Sequence, residues 1–188
     1  MGATELESYR EQFERVAEQA KSLTEGLSEA QFNWRPKPGE WSIQECMAHL
    51  IIVGQQEIKF IERAVHSGRQ EGITGAGPFR YGFIERTILR QTEPPVRRKF
   101  SAPAHFRPVD GQPLTAIVPT FLHLQSQLGR IAGECEGLDL ARVKVATPIT
   151  RWLKLSLGIT FAQAAAHERR HLEQARRVRE HSQFPKRP

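Results

Sequence analysis

Three of the seven histidines occupy positions that suit metal coordination. His167 and His171 are four residues apart in a stretch with helical periodicity. This spacing puts two imidazoles about 40° apart around a helix axis and about 6 Å apart along it. His49 lies beside an apolar run in another such stretch, where a partly buried imidazole needs a partner for each ring nitrogen. The three side chains together predict a divalent-metal site shared by two helices.

The chemistry of such a site follows from its incomplete ligand set. Three neutral imidazoles leave at least one metal position open, as in catalytic zinc sites, whereas structural zinc sites are closed by four protein ligands that often include thiolates. Water at an open position becomes acidic enough to react near neutral pH. The ligands suit zinc, nickel or a similar metal, and their spacing does not choose among these.

Each histidine also has a simpler interpretation when taken alone. A His-x-x-x-His pair is often solvent-facing, and a single histidine on an apolar face is more often a hydrogen-bonded core residue than a ligand. The metal is favoured only because all three lie in the centres of predicted core helices. The other histidines have no partner at ligand spacing; they are His66, His105, His123 and His181.

Residues 167–171, His-Glu-Arg-Arg-His, also match the H-E-x-x-H pattern of zinc proteases, in which Glu168 would be the general base. The extended form of that pattern needs glycine and histidine where Gln174 and Arg177 stand. Few residues follow that could supply another ligand, and no edge strand for a peptide substrate is visible. We therefore expect the match to be coincidental and Glu168 to lie on the surface.

Four long amphipathic helices are predicted to position these residues. Helix-start signatures stand at Thr4, Ser42 and Thr160, each with Glu or Gln three residues later. The apolar spacing indicates helices over about 4–23, 42–68, 113–133 and 160–181. Pro113 suits a first turn, whereas Pro119 is expected to kink the third helix.

The connections between these helices are long. A short helical turn is expected near 28–32 and a short helix over 84–91, within an otherwise irregular stretch from 68 to 112. Four apolar residues of the connection from 134 to 158 are expected to pack on the bundle: Trp152, Leu153, Leu155 and Leu157. Strand-like alternation is scarce. The pattern predicts one all-α domain spanning residues 1–188, a four-helix bundle with long connecting loops.

Composition narrows the class of protein. The chain has 188 residues, 39% of them hydrophobic and 26% charged, as in a soluble globular domain. No secretory signal is visible, so a cytoplasmic protein is expected. The net charge is +6, with basic clusters at 97–99, 169–170 and 176–179. Acidic residues are interleaved along most of the chain and no nucleic-acid-binding motif accompanies the clusters, so nucleic acid is not the expected partner.

Two segments resemble the DinB/YfiT-like superfamily. Residues 32–50, Phe-Asn-Trp-Arg-Pro-Lys-Pro-Gly-Glu-Trp-Ser-Ile-Gln-Glu-Cys-Met-Ala-His-Leu, are similar to the family's entry to its second helix, which leads to a metal-binding histidine. Residues 160–174, Thr-Phe-Ala-Gln-Ala-Ala-Ala-His-Glu-Arg-Arg-His-Leu-Glu-Gln, are similar to its last helix, which carries two further histidines and a downstream glutamine. The order and placement of the two segments also agree with the family.

The resemblance implies an up-down-down-up four-helix bundle with a site formed by His49, His167 and His171. Members include transferases and isomerases that use bacillithiol or mycothiol, and proteins described as metal-dependent hydrolases. Many members form dimers, so a homodimer is expected.

The leading hypothesis is a thiol-dependent transferase that acts on small electrophiles. Glu45, Gln163 and Gln174 are then candidates for orienting the imidazoles. Arg80, Arg97 and Arg151 are candidates for holding carboxylates of the thiol, although no spacing singles them out. A hydrolase that activates water at the same metal stays open as an alternative. So does a non-catalytic, metal-stabilised binding or stress-response module.

Overall fold

Side-chain caps define where three helices of the computed structural model begin. The hydroxyls of Thr4, Ser28 and Ser42 each accept a hydrogen bond from the backbone N–H three residues later, and the side chain at that later position accepts one from the cap's own N–H. These capping boxes satisfy backbone donors that a helix start leaves without an intrahelical partner. The starts predicted at Thr4 and Ser42 are confirmed.

The structure describes residues 4–95, 102–147 and 152–186. Within those ranges it contains six α-helices, one turn of 3-10 helix and one two-stranded antiparallel sheet, so an all-α class fits broadly. In chain order the elements are α1 (Glu5–Thr24), α2 (Glu29–Phe32), α3 (Ile43–Gln70), α4 (Phe83–Thr92), the 3-10 turn (Ala104–Phe106), α5 (Leu114–Glu134), β1 (Lys144–Ala146), β2 (Lys154–Ser156) and α6 (Leu157–Arg179).

The four long helices form the core. Helix α1 packs against α5 and α6, and α3 packs against the same two helices. The apolar stripes predicted from the sequence face inward, and the largest fully buried side chains come from these helices and their connections. The helix directions that an up-down-down-up bundle requires stay a prediction. No helix in the described ranges is both long and apolar enough to cross a membrane.

The start of α6 differs from the prediction. The sequence indicated Thr160 as its cap, but the helix begins at Leu157 with Ser156 before it, and Thr160 lies within the first turn. The N–H groups of Leu157 and Gly158 donate to the carbonyls of Val143 and Leu140, at 2.9 and 3.1 Å. Because these partners belong to another part of the chain, the local sequence carries no sign of the earlier start.

The connection before α6 contains a short hairpin that the sequence did not predict. Lys144–Ala146 and Lys154–Ser156 pair antiparallel, with Val145 opposite Leu155. The expectation that Trp152 and Leu153 pack on the bundle is wrong, since their exposed fractions are 97% and 39%. The same expectation is confirmed for Leu155 and Leu157, which are buried.

The other boundaries lie close to their predicted positions. The predicted short helix is α4, and α5 runs through Pro119 as one element. Helix α3 continues past Gly68, which stays inside the helix because its missing side chain makes room for Val143. The chain leaves this helix at Gly72, where φ is +65°, a conformation that glycine adopts without steric penalty.

Candidate metal centre

Helices α3 and α6 bring the three predicted histidines together. One ligand atom from each of His49, His167 and His171 lies within 4.8 Å of the other two. The ring centroid of His49 lies 5.3 Å from that of His167 and 4.7 Å from that of His171. The ring centroids of His167 and His171 are 4.7 Å apart. These distances are close enough for the three side chains to share one ion.

The ring of His49 is oriented by a backbone carbonyl. Its Nδ1 lies 2.8 Å from the oxygen of Phe106, in the 3-10 turn. A carbonyl only accepts hydrogen bonds, so Nδ1 is the protonated nitrogen and Nε2 keeps its lone pair. Metal-binding histidines are commonly held in this way. This partner could not be predicted from the sequence, because any residue offers a carbonyl and the two residues are 57 positions apart.

The ring of His171 is held by a residue of its own helix. Its Nδ1 lies 3.1 Å from Oε1 of Gln174, three residues later on α6. An amide oxygen accepts from a protonated Nδ1, which again leaves Nε2 as the free ligand atom. Gln174 was among the residues expected to orient the imidazoles, and it lies where it can do so.

The other two candidates for this role lie elsewhere. Both carboxylate oxygens of Glu45 are 2.7 Å from the guanidinium of Arg35, and Oε2 also accepts from the N–H of Ser42. Glu45 therefore caps α3 and pairs with the preceding loop. Gln163 makes no side-chain hydrogen bond within the part of the chain that the structure describes.

An aromatic side chain packs over two of the histidines. The Trp41 ring centroid is 4.9 Å from that of His49 and 5.7 Å from that of His171. Trp41 stands directly before Ser42, which caps α3, so the start of this helix fixes its position. It was not predicted as a site residue, although it lies in the motif shared with the family and next to a helix cap.

Burial keeps the imidazoles neutral. It lowers the pKa of His49, and the hydrogen bond with Phe106 only partly opposes this effect. Burial first, then His49 and Arg170, lowers the pKa of His167 to about 3. Burial first, then His167, His49 and Arg170, lowers the pKa of His171 to about 2. Neutral imidazole is the form that binds a metal, so the free protein already holds the ligands in that form.

The expectation that Glu168 lies on the surface is wrong. Its side chain is only 3% exposed, and Nε2 of Gln125 on α5 donates to its Oε1 at 2.7 Å. Burial, with a smaller contribution from Glu57, raises its pKa to about 8. Glu168 follows His167 by one residue and so projects from a different side of α6, into the core between the helices. This position does not suit the general base of a zinc protease.

Of the three arginines suggested for substrate carboxylates, the structure describes only Arg80. Arg80 is an exposed residue of the connection between α3 and α4. Arg97 and Arg151 lie outside the described residues, as does the basic cluster at 97–99.

The donor set fits a divalent metal. All three ligands are neutral imidazoles, and two of them have Nδ1 engaged by an acceptor, so that Nε2 is left for the ion. Nitrogen ligands of this kind suit zinc, nickel and related metals. No other group of three or more histidine, cysteine, aspartate or glutamate side chains in the described ranges is arranged to share an ion.

Comparison with protein families identifies the chain. The family model described as the DinB superfamily matches residues 12–175, which include all three histidines and all four long helices except the ends of α1 and α6. No curated protein and no solved structure matches the chain. Because the match spans most of the sequence, this protein belongs to the DinB superfamily.

Proposed function

We propose that this protein binds one divalent metal through His49, His167 and His171 and catalyses the transfer of a low-molecular-weight thiol to a small electrophile. The observation that carries the proposal is the convergence of three neutral imidazoles within 4.8 Å. Zinc and nickel are the metals that we expect. Membership of the DinB superfamily supports this assignment, because the resemblance noted above extends to thiol-dependent transferases.

A metal at this site would lower the pKa of a bound thiol and hold the resulting thiolate. The protein's own residues supply the rigid frame for that chemistry. The carbonyl of Phe106 and the amide of Gln174 each fix one imidazole in the tautomer that leaves Nε2 free. Trp41 covers two of the rings and limits the approach of water from its side.

A thiol is favoured over water as the nucleophile because neither of the two carboxylates near the site is free to take a proton from water. Glu45 is bonded to Arg35 and to its helix cap, and Glu168 is bonded to Gln125 in the core. Neither is available as a general base. A thiol has an unperturbed pKa of about 8.5. Bulk water has a pKa of about 15.7, so a bound metal would have to lower the pKa of water much further than that of a thiol to give the same fraction of anion near neutral pH.

The proposed step balances without another reactant. The sulfur forms a bond to the electrophilic carbon, and the leaving group departs with the electron pair of the bond that breaks. The thiol proton passes to solvent. The substrate would therefore be a small molecule with a leaving group on an electrophilic carbon, such as an aryl or alkyl halide.

A conjugation assay tests the proposal. The purified protein, loaded with zinc or nickel, is mixed with a panel of thiols that includes bacillithiol and mycothiol, and with a chromogenic aryl halide. We expect thiol-dependent turnover that falls more than about 100-fold in His171→Ala, since even outer-shell groups are worth 10–100-fold. His123→Ala is the matched control, because His123 is an exposed histidine on α5 and should leave the rate unchanged.

The same assay separates the alternatives. Ester hydrolysis without thiol, lost in His171→Ala, would replace the transferase by a hydrolase. Absence of both activities in protein that binds metal would instead indicate a non-catalytic, metal-stabilised module. We also propose a homodimer in the cytoplasm; sedimentation equilibrium tests its oligomeric state, and a monomer at micromolar concentration would contradict it.

A further inference from the structure

The segment 104–112, which begins with the 3-10 turn and leads to α5, is attached to the first turns of α3 through its backbone. The carbonyl of Phe106 accepts from His49, and the carbonyl of Val109 accepts from Nε2 of Gln44 at 3.1 Å. Asp110 adds an ion pair with Arg35 at 3.2 Å. The segment therefore follows α3 over the same residues that present the first histidine of the site.

Gln44 makes the buried attachment. Its side chain is fully buried, and its amide N–H is directed at a carbonyl on the segment. Its Oε1 is buried without a hydrogen-bond partner among the described residues. Loss of the hydrogen bond to Val109 would leave the buried amide without any partner among the described residues, which is unfavourable.

The carbonyls of Phe106 and Val109 are joined by a short and stiff stretch of backbone. Only Arg107 and Pro108 lie between Phe106 and Val109. Proline fixes its own φ and restricts the residue before it to extended backbone, and Arg107 has φ −72° and ψ 130°. A short stiff link of this kind transmits a displacement at Val109 to the carbonyl that orients His49.

We propose that Gln44 is a positioning residue of the metal centre, which holds the segment 104–112 so that the carbonyl of Phe106 keeps His49 in its ligand tautomer. This proposal rests on the proposed function in one respect, namely that a metal binds at the three histidines. The Gln44 side chain makes no hydrogen bond to the three histidines among the described residues; it acts through Val109, Pro108 and Phe106.

Two measurements on Gln44→Met test the proposal. Methionine keeps the volume and removes the N–H donor. Competition with a chromophoric chelator, with Zn²⁺ alone as the ligand, should give an affinity about tenfold weaker than in the natural protein, the lower end for groups outside the ligand shell. In the metal-free protein, ¹⁵N NMR of labelled histidine should show His49 with Nδ1 protonated, and a mixture of both tautomers in the variant.

Gln31→Met is the matched control. Gln31 is also buried, and its Nε2 also donates to a backbone carbonyl, that of Pro185, at 2.8 Å. It connects α2 with the C-terminal segment rather than the histidines. Its substitution should lower the stability to urea while zinc affinity and the His49 tautomer stay unchanged.

A second variant covers the case in which Gln44→Met does not fold. Pro108→Gly loosens the link without altering α3 and should also weaken zinc binding and mix the tautomers. Unchanged zinc affinity and an unchanged tautomer in whichever of the two variants folds would overturn the proposal. If the natural protein bound no metal, the proposed function would fail, but the tautomer measurement would still decide the role of Gln44.

Discussion

At the scale of single residues, the metal centre depends on how burial treats each titratable side chain. The three histidines are kept neutral, because their folded pKa values lie below the ordinary 6.5, at about 3 for His167 and about 2 for His171. The pKa of Glu168, which follows His167, is raised to about 8. Both shifts have burial as their largest cause, and both favour the uncharged form.

The histidine shifts predict metal binding that is only weakly sensitive to mild acid. Protons compete with the metal only when the folded imidazoles titrate, which is below pH 6.5 for His49 and near pH 3 and pH 2 for His167 and His171. Zinc affinity of the folded protein should therefore fall less steeply below pH 6.5 than it would for three histidines with ordinary pKa values. Chelator competition at a series of pH values measures this, and a steep loss of affinity starting near pH 6.5 would contradict it.

The raised pKa of Glu168 predicts that its substitution stabilises the protein by an amount that depends on pH. Its folded pKa of about 8 lies above the ordinary 4.5, so the stability it contributes is present below about pH 4.5 and lost as pH rises towards 8. Glu168→Gln keeps the acceptor for Gln125 and removes the charge. In metal-free protein, the variant should match the natural protein at low pH and become progressively more stable than it as pH rises from about 4.5 to about 8, as measured by urea unfolding.

Glu173→Gln on the same helix is the control for that experiment. Arg176 lowers the pKa of Glu173 through a hydrogen bond, so this carboxylate contributes stability that is lost as pH falls. Its substitution should destabilise at neutral pH. A stability difference for Glu168→Gln that does not change with pH would contradict the buried, protonated state assigned to it.

The site shows which residues a sequence can and cannot reveal. The cluster of His49, His167 and His171 was predictable, because residue type and helical spacing are visible in the sequence. The carbonyl of Phe106 was not, because its role belongs to the backbone and its partner is distant in sequence. Glu168 was misplaced because a charged residue in an arginine-rich stretch is usually exposed, and its partner Gln125 lies on another helix.

At the scale of elements, close contacts between elements explain the boundaries that the sequence missed. The side chain of Tyr81 packs on the backbone of Gly158 in the first turn of α6, and its hydroxyl donates to Glu5 on α1. A glycine two residues before an apparent cap reads as part of a loop. It is instead a helical residue that leaves space for an aromatic ring, and for this reason the helix starts earlier than predicted.

A pair of glycine substitutions tests this packing. A Cβ on Gly158 would lie 2.6 Å from Cζ of Tyr81, which its bond to Glu5 restrains, so Gly158→Ala should destabilise by about 1–3 kcal/mol. Gly129 lies in α5 with open space where a Cβ would stand, and Gly129→Ala should stabilise by about 0.5–1 kcal/mol. Urea unfolding measures both; equal effects of the two substitutions would contradict the close contact at Gly158.

At the scale of the whole molecule, the four long helices were predictable because their apolar stripes and caps are local. Their neighbours in space, and the hairpin before α6, follow from contacts between distant segments that no local pattern encodes. The match to the DinB superfamily covers the core that these helices form and all three histidines.

The positive charge of the molecule is partly compensated along α6. Arg176 is within 2.8 Å of both Glu173 and Glu180, and Arg179 donates to the carbonyls of Ser22 and Leu23 at the end of α1. We therefore predict no measurable binding to duplex DNA at physiological salt. Fluorescence anisotropy measures this, and binding that weakens steeply with added salt, the sign of phosphate contacts, would contradict the prediction.

The metal content of the purified chain tests the central claim most directly. After equilibration with zinc or nickel and removal of the excess, elemental analysis should find one ion per chain in the natural protein and in His123→Ala, and none in His171→Ala. Circular dichroism of the metal-free proteins checks that the variants remain folded. A natural protein without bound metal, or a folded His171→Ala variant that keeps its full metal content, would contradict the assignment of His49, His167 and His171 as one metal site.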